Sequence, residues 1–134
     1  MEEVGMILKL LFSVFLGGII GYERELRAKP AGLRTHMLIC LGSTILTLIS
    51  LTAFPSGDHS RIAAYIIVGI GFIGGGTIFQ FKEKIVGLTT AASLWIVASI
   101  GIAIGVGYYL LATVATLIVF IILRLSMIEN EIKQ

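Results

Sequence analysis

The sequence is poor in charge and cysteine, and each shortage excludes a class of protein. Only 13% of the 134 residues are charged, against about 25% in typical soluble domains. Hydrophobic residues make up 57%, which a soluble fold this small could not bury and a disordered chain would not contain. The single cysteine, Cys40, excludes a disulfide framework and a cysteine-cluster metal site. A formal net charge of +2 is too small for a nucleic-acid-binding surface. We therefore expect a membrane protein whose main partner is the lipid bilayer.

Long uncharged stretches mark where the chain can span that bilayer. No Asp, Glu, Lys or Arg occurs over 23 residues at 35–57, over 20 residues at 62–81, or over 39 residues at 85–123. About 20 apolar residues in a helix cross a hydrocarbon core of about 30 Å, so the first two runs predict one span each. The third run is twice that length and has a glycine-rich interruption at 101–107. It predicts two helices, roughly 88–104 and 107–124.

The N-terminal stretch 4–21 predicts one more span. Its only charge is Lys9, whose long side chain can reach the interface. A cleavable signal peptide is the alternative, but no A-x-A-like site follows and the next segment is heavily charged. We therefore expect an all-α integral membrane protein, a single domain over residues 1–134 with five transmembrane helices. Four spans are the main alternative.

The basic residues predict how such a domain is oriented. Five spans place eight of the ten Lys and Arg residues on one side and two, Lys9 and Arg61, on the other. Cytoplasmic loops carry the excess of positive charge. We therefore expect the N-terminus outside and the C-terminus in the cytoplasm. The eight residues on the cytoplasmic side are Arg24, Arg27, Lys29, Arg34, Lys82, Lys84, Arg124 and Lys133.

Sixteen glycines in so short a chain require a packing reason. Small residues let helix backbones approach closely in lipid, so we expect glycines to form the helix contacts. The run 74–76 also weakens helix propensity, and it predicts either tight packing or a kinked or unwound stretch. The segment 69–74 matches G-x-G-x-x-G but lacks the strand that a dinucleotide site needs, so we expect no nucleotide binding. The glycines predicted to pack are Gly17, Gly21, Gly69, Gly71, Gly74, Gly76, Gly101 and Gly105.

The segment 23–36 is the richest in charge. Glu23 with Arg27 and Glu25 with Lys29 are i,i+4 pairs, which predicts a helical turn that continues the first span until Pro30. Two readings stay open: the loop is only a positive anchor on the cytoplasmic side, or part of it binds a ligand. On the second reading Glu23, Arg34 and His36 enter the bundle from the cytoplasmic face.

Three other places carry polar or aromatic residues that need a role. Asp58 precedes an apolar helix, so it can cap that helix or pair with Arg61 three residues on. Thr89 and Thr90 are expected to cap the fourth span. Trp95 lies too deep in that span for an interfacial residue, and we expect it to pack against a neighbouring helix.

Motifs for catalysis are missing from the sequence. There is no G-x-x-x-x-G-K-[ST], and no serine or cysteine has a histidine at a recognisable spacing. The two histidines, His36 and His59, fall on opposite sides of the membrane in the five-span arrangement. We therefore expect no enzymatic activity and no cofactor, with Mg²⁺ the one ligand left open.

Several motifs, taken together and in order, resemble the MgtC/SapB family of bacterial inner-membrane proteins over nearly the whole chain. They are Gly21-x-Glu23-Arg24, Lys29-Pro30-Ala31-Gly32-Leu33-Arg34-Thr35, Leu41-Gly42-Ser43, Arg61-Ile-Ala-Ala, Gly69-Ile-Gly71-Phe-Ile-Gly74-x-Gly76 and Gly87-Leu-Thr89-Thr90-Ala-Ala-x-Leu-Trp95. The resemblance implies a five-span domain with a role in adaptation to low magnesium and, in some members, survival inside host phagocytes.

The chain also departs from that family in two respects. Many members carry a soluble cytoplasmic domain after the last span, which residues 1–134 do not include. The third span has Tyr65 and Val68 where the family often has a glutamine and a serine.

Two functions remain as hypotheses. The first is a non-enzymatic regulator that binds another membrane protein, such as a transport ATPase, and forms a homo-oligomer, most simply a dimer. The second is a divalent-cation transporter or channel, for which Glu23 and Asp58 are the candidate metal ligands. The candidate ligand- or partner-binding residues are Glu23, Arg24, Pro30, Gly32, Arg34, Thr35, His36, Asp58, Arg61, Thr89, Thr90 and Trp95.

Overall fold

A computed structural model describes the backbone of residues 2–132 and the side chains of residues 3–125. Lys133, which was counted among the basic residues, lies outside the described part. Within it the chain forms five helices and one antiparallel hairpin. The elements are α1 (Glu2–Leu26), α2 (Leu33–Ala53), α3 (Ser60–Gly75), β1 (Phe79–Phe81), β2 (Lys84–Val86), α4 (Leu88–Val106) and α5 (Tyr109–Ile132).

Among the residues whose side chains the structure describes, three helices are long and apolar enough, by length and composition, to cross a membrane: α1, α2 and α4. The shorter α3 has 16 residues and measures about 24 Å at about 1.5 Å per residue, less than a typical hydrocarbon core. The number of helices and their order agree with the sequence prediction. The boundaries of the third helix do not, since we expected an apolar span up to residue 81 and the helix ends at Gly75.

The helix α4 lies at the centre of the bundle. It contacts each of the other four helices, whereas α3 packs mainly on α4 and only slightly on α2. Residues on several sides of α4 are buried, and together with α1 and α2 they form the apolar core. The buried residues of this core, to which α5 also contributes, are Leu16, Ile20, Cys40, Val97, Ile100, Ile104, Ala112 and Leu123.

Glycines allow α1 and α4 to approach α2 closely. A Cβ at Gly17 would lie 2.8 Å from Cys40 Cβ, and one at Gly101 would lie 2.7 Å from Ser43 Cβ. A Cβ at Gly105 would lie 2.5 Å from Thr47 Cβ. Since real Cβ atoms do not approach so closely, any side chain at these positions would push the helices apart.

The other predicted packing glycines divide into two groups. Gly21 packs against Leu33, and Gly74 lies against Ala91 of α4. In contrast, a Cβ at Gly69 or Gly71 would meet no other heavy atom within 4 Å. These last two therefore make no close contact within the described part of the chain.

The glycine run at 74–76, for which we expected either tight packing or a kinked or unwound stretch, ends α3. Gly76 is the C-cap residue, and the Thr77 hydroxyl donates to the Gly74 carbonyl at 2.7 Å. The hairpin follows at once, with Phe79 paired to Val86. It returns the chain to Gly87, which has φ +95° and packs so closely on the Thr77 carbonyl that no side chain would fit.

Two residues that were predicted to cap a helix do not cap it. Helix α4 begins at Leu88 after Gly87, and no side chain caps it, so Thr89 and Thr90 lie inside its first turn. At the start of α3, Asp58 Oδ1 accepts a hydrogen bond from the Ser60 amide at 3.0 Å. The Asp58–Arg61 ion pair, which was the alternative to capping, does not occur among the described residues; the Arg61 amide donates to the Asp58 carbonyl at 3.2 Å.

A buried charge cluster and pocket at the basic end

One end of the bundle, which we call the basic end, gathers most of the positive charge. Helix α1 ends there, α2 and α4 begin there, and the hairpin lies beside them. At the opposite end, Lys9 Nζ donates to the Gly105 carbonyl at 2.8 Å, at the last turn of α4. The described basic residues of the basic end in α1, the two loops and the start of α2 are Arg24, Arg27, Lys29, Arg34, Lys82 and Lys84.

Three charged side chains form a group at this end, which we call the charge cluster: Glu23 and Arg24 in the last turn of α1 and Arg27 just after that helix. Glu23 is 1% exposed and Arg24 is 2% exposed. Arg24 Nε lies 3.1 Å from Glu23 Oε2, and Arg27 Nε lies 3.4 Å from Glu23 Oε1. Two guanidinium groups thus share one carboxylate, so the cluster has a net positive charge.

The position of Arg24 on α1 explains its burial. It follows Leu16 and Ile20 at four-residue spacing, so all three lie on the face that points into the bundle. The guanidinium is not fully satisfied there: within the described chain, Arg24 Nη1 is buried without a hydrogen-bond partner. Buried donors without a partner are rare in folded proteins.

A cavity of about 510 Å³, which we call the Arg24 pocket, lies against this guanidinium. One wall is the loop after α1, including Lys29 and Pro30, and a second wall is the hairpin. The third wall is residues 87–90 at the start of α4. The structure thus brings together four residues of the predicted set, Arg24, Pro30, Thr89 and Thr90, and adds Lys29, which was not among the candidates.

His36 connects α2 to α4 just inside the pocket wall. It is fully buried, and Nδ1 donates to the Gly32 carbonyl at 2.8 Å. Nε2 lies 2.9 Å from Ser93 Oγ, which is 2.7 Å from the Thr90 carbonyl. His36 therefore enters the bundle as expected, and its bonds fix the start of α2 against the first turns of α4.

Two expectations for the loop are corrected by the structure. On the ligand-binding reading of this loop Arg34 enters the bundle, but it is exposed at the start of α2, and among the described residues Arg24 is the buried arginine. Helix α1 ends at Leu26, before Pro30, and Ala28 has a left-handed φ of 51°. Glu25 accepts a hydrogen bond from the Leu33 amide at 2.9 Å. Gly32, just before α2, is half-buried against Glu25, and Thr35 in the first turn of α2 is also half-buried.

The remaining predicted residues lie elsewhere. Asp58 and Arg61 line a small cavity of about 280 Å³ at the opposite end from Glu23, so the two candidate metal ligands belong to different places. Trp95 is 47% exposed and lies in an apolar groove between α4 and α5. In the described residues no group of three or more His, Cys, Asp or Glu side chains is placed to hold a metal ion.

The MgtC family model matches residues 10–130, which is most of the chain. The chain belongs to the MgtC family. Family membership and the three apolar helices of spanning length together indicate a membrane protein. The resemblance inferred from the motifs is therefore confirmed.

Two relatives show how much of an MgtC-family protein is present. The chain is 43% identical over 126 residues to "Putative magnesium transporter YhiD" of Escherichia coli K12, covering 88% of this chain and 59% of that protein. It is 44% identical over 113 residues to "Protein MgtC" of Salmonella typhimurium LT2, covering 84% and 48%. The chain thus spans about half to three fifths of the length of these relatives. No solved structure matches it.

Proposed function

We propose that this MgtC-family chain is a non-enzymatic, multi-pass protein of the bacterial inner membrane that regulates another membrane protein during adaptation to low magnesium. In this proposal all five helices cross the bilayer and the basic end faces the cytoplasm. The eight-to-two distribution of Lys and Arg supports that orientation. The role needs neither a catalytic group nor a resident cofactor.

One face of α3 carries the proposal. Ala64, Val68, Gly71 and Gly75 are spaced i, i+4, i+7 and i+11, so they lie on one face, which we call the α3 stripe. All four are exposed, and a Cβ at Gly71 or Gly75 would meet nothing within 4 Å. Another side of α3, with Ile70 and Gly74, is buried against the bundle.

Such a stripe suits a second transmembrane helix. Helices in lipid associate through small residues that let the backbones approach, as Gly101 and Gly105 do inside this bundle. Glycine costs a helix roughly 0.5–1 kcal/mol relative to alanine. The stripe therefore supports docking of a helix from the regulated protein. A second copy of the chain is the alternative occupant, in a symmetric dimer.

Capture from native membranes tests this proposal. We expect the tagged chain, cross-linked in cells grown at low magnesium, to retain a membrane protein that a Gly71→Leu/Gly75→Leu variant loses. Gly42→Leu is the matched control, because Gly42 also has no neighbour within 4 Å but lies on α2, away from the stripe. Capture of only the chain's own copies, or equal capture by all three forms, contradicts regulation through the stripe.

Magnesium transport is the second candidate, because one relative is named "Putative magnesium transporter YhiD". We rank it lower because the charge cluster at the basic end holds two arginines for one glutamate, and a cation there would be repelled. Purified protein in liposomes loaded with a magnesium-sensitive dye tests transport. We expect the magnesium influx to equal that of empty liposomes; a faster influx would establish the transporter instead.

A further inference from the structure

Arg24, which lines the Arg24 pocket, has buried N–H groups that make no hydrogen bond among the described residues. Arg24 is 2% exposed, and Nη1 finds no hydrogen-bond partner among the described residues. Its Nε lies 3.1 Å from Glu23 Oε2, but the N–H does not make a hydrogen bond to that oxygen. Arg24 lines the cavity, and a buried cation with donors that lack a partner is expected where a ligand supplies the acceptor.

The start of α4 supplies further donors to the same cavity. The first intrahelical bond runs from the Ala91 amide to the Gly87 carbonyl, so the amides of residues 88–90 have no acceptor within the helix. No side chain caps this end, and its first turn has no acidic residue. The positive end of a 19-residue helix dipole therefore opens onto the pocket that contains Arg24.

The net charge around the pocket favours an anionic ligand. Lys29 lies in the wall, and Glu23 is already paired with Arg27 at 3.4 Å as well as with Arg24. The net charge of these four residues is +2, so an anion is favoured over a cation. Thr89 and Thr90 add hydroxyl groups to the wall. A planar guanidinium with free N–H groups matches the oxygens of a phosphate group especially well.

We propose that the Arg24 pocket binds a phosphate group, contacted by the Arg24 guanidinium, the Lys29 ammonium and the first amides of α4. This site is separate from the α3 stripe and goes beyond the proposed regulatory function. The phosphate has two natural sources: a free phosphate in solution or the headgroup of an anionic phospholipid. Both present the same oxygens, so the experiment separates them.

The test uses the whole chain in lipid nanodiscs. In phosphatidylcholine nanodiscs, titration calorimetry measures binding of inorganic phosphate. In nanodiscs of mixed phosphatidylcholine and phosphatidylglycerol, native mass spectrometry measures which lipid stays bound. Saturable phosphate binding identifies the free ion, and selective retention of phosphatidylglycerol identifies the headgroup. Either result supports the site, and absence of both overturns it.

Three variants assign the binding to this pocket. Arg24→Lys keeps the buried charge beside Glu23, so the fold is preserved, but it removes the fork of donors and should weaken binding about tenfold. Lys29→Gln, at the exposed wall, should weaken it about threefold. Lys84→Gln is the matched control, because it removes one charge at the same end but does not line the pocket. Equal weakening by Lys84→Gln and Lys29→Gln would overturn the site, since it would show a general charge effect.

Discussion

At the scale of single residues, two helical glycines differ in how much space surrounds the position of a Cβ atom. A Cβ at Gly101 would press on Cys40 and Ser43 of α2, whereas one at Gly42 would meet nothing within 4 Å. We expect Gly101→Ala to destabilise the protein by about 1–3 kcal/mol, because α2 and α4 must separate. Gly42→Ala should be neutral or stabilising by up to about 1 kcal/mol. Unfolding in detergent micelles, followed by circular dichroism, measures both, and equal effects would contradict the close approach.

The carboxylate of Glu23 is the second residue with a measurable role. Removing its charge in Glu23→Gln leaves Arg24 and Arg27 close together without a counter-charge, and Arg24 is almost fully buried. Breaking a buried ion pair from one side typically costs about 3–5 kcal/mol. We expect a loss of that order, and the same unfolding measurement determines it. The control is Glu83→Gln at an exposed turn, which should change stability by less than about 0.5 kcal/mol.

The sequence predicted part of this site because some of its signals are local. The i,i+4 spacing of Glu23 and Arg27 predicted their contact, and the spacing of Arg24 from Leu16 and Ile20 was available to indicate its burial. The error at Arg34 has a physical reason: the chain turns at residues 27–32, and the turn sets which face of α2 points outward. The contact of His36 with Ser93 spans 57 positions, so no local pattern could reveal it.

At the scale of elements, the start of α3 should respond to acid. The Ser60 hydroxyl and amide donate to Asp58, and these bonds hold the pKa of that carboxyl below its usual value. The carboxylate therefore stabilises the fold above the unfolded pKa of about 3.9, and this contribution disappears as the pH falls through the lower folded pKa.

The variant Asp58→Asn isolates this effect. We expect it to unfold more easily than the original chain near neutral pH and to approach it in stability below about pH 4. Unfolding midpoints in micelles across that range measure the difference. Ser56→Ala in the same exposed loop is the control, and it should follow the original curve at a constant offset. A gap between Asp58→Asn and the original chain that is unchanged by pH would refute the role of the carboxylate.

The hairpin is an element that the sequence did not predict. Phe79–Phe81 continues the apolar run of α3 without a charge, so composition could not separate the strand from the span. The three glycines at 74–76 were the available signal, and they end the helix rather than bend it. The starts of the other helices were predicted to within a few residues, because charged or glycine-rich segments bound them, whereas α5 was expected to end at 124 and continues to Ile132. For example, α4 was expected at 88–104 and occurs at Leu88–Val106.

At the scale of the whole molecule, the two ends of the bundle are chemically unlike. The basic end holds the charge cluster and the Arg24 pocket, while the opposite end has the Asp58 loop and the Lys9 contact with Gly105. The α3 stripe lies between these two ends, on the outer face of the bundle. The proposed phosphate site is thus at the basic end, separate from the surface proposed for the protein partner.

The orientation of the whole bundle is testable by labelling three loops in a Cys40→Ala background, which removes the only cysteine. If all five helices cross, a cysteine at Ser56 or at Tyr108 reacts with a membrane-impermeant maleimide in intact cells. A cysteine at Glu83, in the hairpin turn, reacts only after the membrane is opened. Positions 56 and 108 are controls for each other. Two helices, α3 and α4, lie between them, so both positions are expected on the same side of the membrane. Labelling of Ser56 and Glu83 from the same side would mean that the 16-residue α3 does not cross, and the basic end would then not face one compartment.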